Sequence, residues 1–266
     1  MDLIERSGGV TRRHPWEIAR ATFFLRLVER LGTLATTDSW LDVGAGDAWF
    51  AQQLRAVLPP AARLACWDVH YPADGPEVAT GTTGIEFSAQ RPGGVFGGVL
   101  MLDVVEHVED DTAFVREVVD GSLAPGGWVL VSVPAYQGLF SEHDRALKHF
   151  RRYSPDAIRT VLESAGLAVQ ARGGLFHGLL PARAAQVLRE RLRPPHPTST
   201  GRVSPDGREP STGIGDWRGG PRLTTALTAV LGADTRVSLA LATRRLAPLP
   251  GLSTWAFCRR REPGPR

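Results

Sequence analysis

The chain is poor in cysteine and has no long uninterrupted apolar run. Its two cysteines, Cys66 and Cys258, fall in segments predicted to be strands, so we expect buried, reduced thiols, as in a cytosolic protein. No stretch approaches the ~18 apolar residues that a membrane-spanning helix needs. The first six residues contain acids and lack the apolar core of a signal peptide, so a cytoplasmic location is expected.

The composition is that of a globular protein with a basic balance. Apolar residues make up 42% of the 266 positions, which is enough for one large domain with a substantial core. The formal net charge is +3 and the isoelectric point is about 9.3, with arginine supplying most of the positive charge. Such a balance favours an anionic substrate or a membrane surface. It is equally typical of an arginine-rich proteome, and both interpretations stay open.

Two glycines, Gly44 and Gly46, separate a short apolar run at 40–43 from an apolar-periodic segment. This order predicts a buried parallel strand, a tight turn and a helix start, which together form the nucleotide-binding corner of an α/β sheet. The Lys-Ser or Lys-Thr pair of a phosphate-binding loop is missing. Trp49 stands where the dinucleotide fingerprint has its third glycine, which disfavours an NAD oxidoreductase.

Acidic residues follow two further apolar runs. Asp68 ends the run 63–68, 22 residues after Gly46, where a carboxylate can accept hydrogen bonds from both hydroxyls of a ribose. Asp103 follows the run 98–102 and opens a polar cluster. The alternation of strands and helices along this region predicts a parallel sheet with helices on both faces.

These segments resemble the class I S-adenosylmethionine (SAM)-dependent methyltransferases. The stretch 42–46 is similar to their Asp-x-Gly-x-Gly motif, with Ala48 in place of a third glycine. The segments 98–108, 123–134 and 134–153 are similar to motifs of a bacterial small-molecule methyltransferase group, to which the ubiquinone-pathway O-methyltransferases are related. This group is often associated with isoprenoid-linked glycans and secondary metabolism. The resemblance runs from His14 to about Gly173.

The resemblance implies SAM as the cofactor, with S-adenosylhomocysteine (SAH) as its product. It also implies a Rossmann-like, mostly parallel seven-stranded sheet, with a helical insertion before an antiparallel last strand. One methyltransferase domain is expected over 1–266, comprising a cap helix (1–36), a SAM-binding core (37–176), an insertion or lid (177–250), and the last strand and tail (251–266). The residues expected to bind the cofactor are Asp42, Gly44, Ala45, Gly46, Trp49, Asp68, Val69, Leu102 and Asp103.

The loop at 134–153 is the most polar segment of the chain, and it leaves the end of a central strand, where ligands bind in open α/β sheets. Imidazole titrates near neutrality, so a loop histidine can take a proton from a methyl acceptor. We favour His143, backed by Asp144 or Glu142. The other candidate bases are His107 and His149, and the residues expected to contact the substrate are Tyr136, Arg151, Arg152 and Tyr153.

No metal is expected. A site built from His143, Asp144 and His149 is conceivable, but the spacing of these residues is irregular, and metal-free methyltransferases predominate. Each histidine can equally form a structural hydrogen bond, and the arginine pair can equally pack the loop against Asp103 or Glu106.

The insertion at 177–250 contains two predicted helices, 179–192 and 222–246. The stretch 193–222 between them has six prolines and six glycines, a composition typical of loops and disorder. A long excursion at this point favours a lid or a membrane-touching element. A pair of surface helices packed on the sheet is the other interpretation.

The sequence therefore predicts methyl transfer from SAM to a small-molecule or lipid-linked acceptor, with O-methylation favoured. A non-catalytic scaffold that binds a partner or a membrane through 177–250 is the alternative. Nucleic acid is not expected as a partner, because the chain lacks an Asn/Asp-Pro-Pro-aromatic motif and an interleaved basic and aromatic tract. Neither the acceptor nor the oligomeric state is indicated. A location at the inner membrane face is consistent with the basic insertion.

Overall fold

Seven strands form one mixed sheet in the order β3-β2-β1-β4-β5-β7-β6 in the computed structural model, which describes residues 13–72, 76, 82–192, 217, 219–242 and 249–261. The strands are β1 (Ser39–Val43), β2 (Arg63–Trp67), β3 (Glu86–Ser88), β4 (Phe96–Leu102), β5 (Leu123–Pro134), β6 (Leu167–Leu175) and β7 (Ser253–Arg260). The predicted sheet is confirmed.

The first five strands are parallel, and β7 is antiparallel to both of its neighbours. In β1, Trp40 lies opposite Leu64 of β2 and Gly98 of β4. β7 lies between β5 and β6, and its Cys258 faces Val129 and Val169. The carboxyl ends of β1, β2, β4 and β5 therefore meet at one edge of the sheet, where polar side chains after each strand come together.

Helices cover both faces of the sheet. They are α1 (Pro15–Arg30), α2 (Trp49–Arg55), α3 (Asp111–Ser122), α4 (Glu142–Ala146), α5 (Pro155–Ser164), α6 (Leu180–Leu192) and α7 (Pro221–Leu241). One core layer packs Phe23 and Leu27 of α1 against Trp40 and Trp255, and the opposite layer packs α3 and α5 against the sheet. Both cysteines are buried and free, as predicted.

The start of α1 is stabilised by a capping box formed by His14 and Glu17. The side chain of His14 accepts a hydrogen bond from the backbone of Trp16, Glu17 reaches back to the backbone of His14, and Pro15 occupies the first turn. α1 packs against α7, so the N-terminal helix and the insertion share one face of the sheet. This position brings α1 over the carboxyl edge of β4.

The insertion lies between β6 and β7, as predicted. α6 matches the expected helix, and α7 covers most of the segment expected at 222–246, of which 243–246 lies outside the described residues. Most of the Pro- and Gly-rich stretch also lies outside them. Within the described part of the chain, no helix is both long and apolar enough to cross a membrane.

Candidate active site

The turn after β1 has the backbone conformation that its glycines allow. Gly44 and Gly46 have φ angles of 64° and 55°, in the left-handed region. A Cβ atom on Gly44 would lie 2.6 Å from Cγ2 of Val104, so a larger residue fits neither the conformation nor the space. Ala48, in the position of the third glycine of the methyltransferase motif, is also left-handed, and for this reason α2 begins only at Trp49.

Asp68 follows β2 and holds this turn. Its Oδ2 accepts a hydrogen bond from the backbone of Gly46 at 2.9 Å, and its Oδ1 accepts one from the backbone of His70 at 2.9 Å. The next residue, Val69, is 70% exposed at the same edge. The structure thus brings the predicted ribose-binding carboxylate beside the glycine turn, although the two residues are far apart in the chain.

Asp42 lies in β1 directly before the turn and is 4% exposed. Burial raises the pKa of this carboxyl group to about 7, because the ionised form loses its hydration, while the positive charge of Arg20 acts in the opposite direction. A ligand cation beside Asp42 would favour the charged form. The side chain is therefore suited to an ammonium group.

Arg20 of α1 is a site residue that the sequence analysis missed. Its guanidinium group lies over the rings of Trp16 and Phe24, at 5.3 Å from each centroid. Its Nη2 lies 2.8 Å from Oδ2 of Asp103, forming an ion pair without hydrogen-bond alignment. Oδ1 of Asp103 accepts a hydrogen bond from Ser132 at 3.1 Å. The sequence does carry a sign of this arrangement. Trp16 and Phe24 lie four residues before and after Arg20, and this spacing places all three side chains on one face of a helix.

Glu106, in the short helical turn after β4, is the second missed residue. It is 1% exposed, and neither carboxylate oxygen has a hydrogen-bond partner among the described residues. Burial, together with the negative charge of Asp103, raises the pKa of Glu106 well above its usual range. The rings of His107 and His149 lie beside it, nearly perpendicular, with centroids 4.6 Å apart.

Asp144 is the fully buried centre of the polar loop. Its Oδ1 lies 3.0 Å from Nδ1 of His149 and accepts a hydrogen bond from Nε of Arg152 at 2.7 Å. Its Oδ2 accepts hydrogen bonds from the backbone of Ser141 and from Nη2 of Arg183, both at 3.0 Å. Burial alone would raise the pKa of Asp144, but the partners His149 and Arg152 hold it well below its usual range.

His143 has a different environment from the one expected. Asp144 pairs with His149 rather than with His143, and Glu142 pairs with Arg145 at the surface. Burial, with the nearby charge of Arg183, lowers the pKa of His143. Its imidazole is therefore neutral at pH 7 and can accept a proton.

The two loop arginines are both engaged by groups of the chain itself. Arg151 donates to Oδ2 of Asp111 at 2.9 Å, and the hydroxyl of Tyr153 donates to the same oxygen at 2.8 Å. Arg152 contacts Asp144 rather than Asp103 or Glu106. Tyr136, at the end of β5, is half-buried and has a φ angle of 61°. Each of these side chains lies in or beside the loop, but the guanidinium groups already have carboxylate partners.

A model of the Methyltransferase domain family matches residues 16–172, more than half of the chain. The chain belongs to this methyltransferase family. The cofactor of the enzyme is SAM, and the buried acids around the glycine turn lie within the matched region. No curated protein matches the methyltransferase.

Solved structures share its fold. A protein from Bacillus halodurans assigned as a methyltransferase is 14% identical, with a TM-score of 0.50, over 90% of this chain and 99% of that one. The N-methyltransferase NodS from Bradyrhizobium japonicum, solved with SAH, is 21% identical, with a TM-score of 0.46. The match covers 60% of this chain and 79% of NodS. An O-methyltransferase family protein from Burkholderia thailandensis is 19% identical, with a TM-score of 0.48. The match covers 58% of this chain and only 53% of the Burkholderia protein. At these identities the likeness concerns the fold alone.

Proposed function

We propose that this methyltransferase transfers the methyl group of SAM to a hydroxyl of a small-molecule or lipid-linked acceptor. The observation that carries the proposal is the set of buried carboxylates at the carboxyl edge of the sheet, next to a polar loop that contains a neutral histidine. Asp42 and Asp68 would hold the cofactor, and the loop at 134–153 would face the acceptor.

The cofactor seat follows from charge and hydrogen-bonding capacity. The ammonium of SAM would lie near Asp42, whose ionised form is costly when no cation is beside it. The ribose hydroxyls would donate hydrogen bonds to the carboxylate of Asp68, which also accepts one from the backbone N–H of Gly46. Arg20 pairs with Asp103, but its Nε and Nη2 have no hydrogen-bond partner among the described residues, so these N–H groups are suited to the cofactor carboxylate.

The transfer step needs alignment of the acceptor and removal of its proton. SAM supplies a methyl group on a positively charged sulfur. The acceptor oxygen would bond to this methyl carbon, and the electron pair of the broken carbon–sulfur bond would stay on sulfur. His143 takes the hydroxyl proton, because its lowered pKa keeps the imidazole neutral. Arg151 and Arg152 hold the loop in this proposal, since their charges are already compensated.

The exposed apolar side chains of α7 favour a lipid-linked acceptor. Leu223, Leu227 and Val230 are 52%, 37% and 65% exposed, and their spacing puts them on one side of the helix. In α6, the helix that precedes α7 in the chain, Leu188 and Leu192 are also exposed, and this helix carries Arg189 and Arg191. Apolar and arginine side chains together suit the surface of an anionic membrane.

The experiment is to incubate the protein with methyl-labelled SAM and an extract of its host, and then to partition the products between butanol and water. Label in butanol supports a lipid-linked acceptor, whereas label only in water restricts the proposal to a polar small molecule. No transfer beyond a heat-inactivated control contradicts the proposed function. NMR of the purified product made from carbon-13 methyl SAM distinguishes an O-methyl from an N- or C-methyl group.

His143→Ala tests the assignment of the base. We expect it to lose turnover while keeping the affinity of the wild type for SAM, because the imidazole acts on the acceptor and not on the cofactor. Unchanged turnover would remove His143 from this role.

A further inference from the structure

Three side chains from two separate segments of the chain form a compact group at the carboxyl edge of the sheet. Glu106 and His107 follow β4, and His149 lies in the polar loop. Each offers one ligand atom, and these atoms all lie within 4.8 Å of one another. Two imidazoles and one carboxylate at this spacing are a donor set for a divalent transition metal.

The carboxylate of Glu106 is an independent indication of a ligand. It is 1% exposed, and neither oxygen has a hydrogen-bond partner among the residues that the structure describes. A buried carboxylate without a partner is costly. The backbone carbonyl oxygen of Glu106 accepts a hydrogen bond from the N–H of Phe150 at 2.8 Å. This backbone bond fixes the loop that carries His149 close to Glu106.

The environment of His149 is that of a metal-binding imidazole. Its Nδ1 lies 3.0 Å from Oδ1 of Asp144, so Nε2 is the ring nitrogen that would bind a metal ion. A carboxylate on the second nitrogen is the usual support of a metal-bound histidine, since it sets the tautomer and the ring orientation. Asp144 is itself held by Arg152 and Ser141, so the support is rigid.

We propose that Glu106, His107 and His149 bind one divalent transition-metal ion, for which Zn²⁺ is the probe. Three protein ligands leave a position open for an oxygen of another molecule. The surrounding acids, Asp103 and Asp144, offset the positive charges of Arg20 and Arg152, so a cation is acceptable here. That this oxygen belongs to the methyl acceptor rests on the proposed function, whereas metal binding itself does not.

The set differs from the one that the loop sequence suggested. The loop sequence offers His143, Asp144 and His149 as ligands, but both oxygens of Asp144 accept hydrogen bonds from the chain. Glu106 and His107 come from another strand end. The two sets share His149 alone, so a substitution at His143 discriminates between them.

The test is a titration of the apo full-length protein, prepared with a chelator, by calorimetry with Zn²⁺ and by absorption spectroscopy with Co²⁺. Glu106→Gln and His149→Asn remove one proposed ligand each with little change of shape, and His143→Asn is the matched loop control. Asp144→Asn removes the support of His149 together with the ion pairs to Arg152 and Arg183. Circular dichroism of each variant checks that it is folded.

We expect one Zn²⁺ to bind per chain, and bound Co²⁺ to give an absorption spectrum typical of nitrogen and oxygen ligands. Glu106→Gln and His149→Asn should lose this binding, Asp144→Asn should weaken it about 10–100-fold, and His143→Asn should retain it. Absence of saturable binding by the wild type, or unchanged binding by Glu106→Gln, overturns the site. Loss in His143→Asn with retention in Glu106→Gln would support the loop set instead and likewise overturn it.

Methyl transfer is then assayed with and without a chelator, to separate the two proposals. Metal binding without methyl transfer leaves the site intact and removes the proposed function. Methyl transfer by a protein that binds no Zn²⁺ or Co²⁺ removes the site and leaves the function. If a chelator abolishes transfer and Zn²⁺ restores it, both are supported.

Discussion

Asp42→Asn should stabilise the cofactor-free protein, and the gain should depend on pH. The carboxyl group has a pKa of about 7 in the folded state because it is buried. The unfolded-state pKa is near 3.9, so folding raises the pKa of this group by roughly three units. Ionisation of Asp42 therefore lowers the free energy of unfolding by about 4 kcal/mol once the pH is above both values. Asparagine has the shape of the acid but never ionises, so the variant escapes this cost.

The sign follows from the direction of the shift. Because the folded pKa is raised, the wild type loses stability relative to the variant as the pH rises from about 4 to about 7, and the difference is constant above that range. We expect Asp42→Asn to be about 1 kcal/mol more stable at pH 4.5 and about 4 kcal/mol more stable at pH 8.

Urea unfolding of both proteins between pH 4.5 and pH 8.5, without SAM, measures this difference. The comparison cancels other titrating groups, including Glu106, because they are present in both proteins. A difference that is independent of pH, or a variant less stable than the wild type at pH 8, would refute the assignment of Asp42 as a desolvated acid. Asp38→Asn, at an exposed aspartate before β1, is the matched control for replacing an acid by its amide.

Three further substitutions test other parts of the site. Asp68→Ala should abolish measurable SAM binding, since losing two charged hydrogen bonds at roughly 1.5–3 kcal/mol each weakens affinity about 100-fold or more; calorimetry that finds normal affinity removes the ribose assignment. Asp144→Asn should destabilise the fold by roughly 3–5 kcal/mol, because Arg152 and Arg183 keep their buried charges. Glu142→Gln on the exposed side of the same helix should change urea stability by under about 1 kcal/mol, and equal effects would contradict the account of Asp144. Gly44→Ala should lower the free energy of unfolding by roughly 1–2 kcal/mol from its φ angle alone. Gly138→Ala is the control in thermal unfolding, because a Cβ atom at Gly138 would have no atom within 4 Å.

Local patterns were sufficient to predict most of the fold. The apolar run at 253–260 predicts a last strand with the bounds that β7 has. Pro15 predicts the first turn of α1, and Ser154 followed by Pro155 predicts the start of α5. The apolar-periodic segment predicts a helix at 47–57, whereas α2 begins at Trp49 and ends at Arg55. The left-handed backbone at Ala48 delays the helix to Trp49, and a non-glycine residue gives no sign of that conformation.

The site was predicted where its residues belong to one motif, and missed where they come from distant elements. Gly44, Gly46 and Asp68 meet because parallel strands align their carboxyl ends, which the alternation of elements already implied. The ion pair between Arg20 and Asp103 depends on where α1 packs, and a helical pattern does not specify this. The choice of His149 over His143 as the partner of Asp144 depends on the path of a loop, which has no periodicity to interpret.

Titration of the wild-type protein with SAM by calorimetry, with NAD as the comparison ligand, tests the central claim most directly. The account predicts saturable binding of one SAM per chain and no binding of NAD, because Trp49 occupies the position of the third glycine and no phosphate-binding loop is present. Absence of SAM binding, or tighter binding of NAD, would contradict the assignment of this sheet edge as a SAM site.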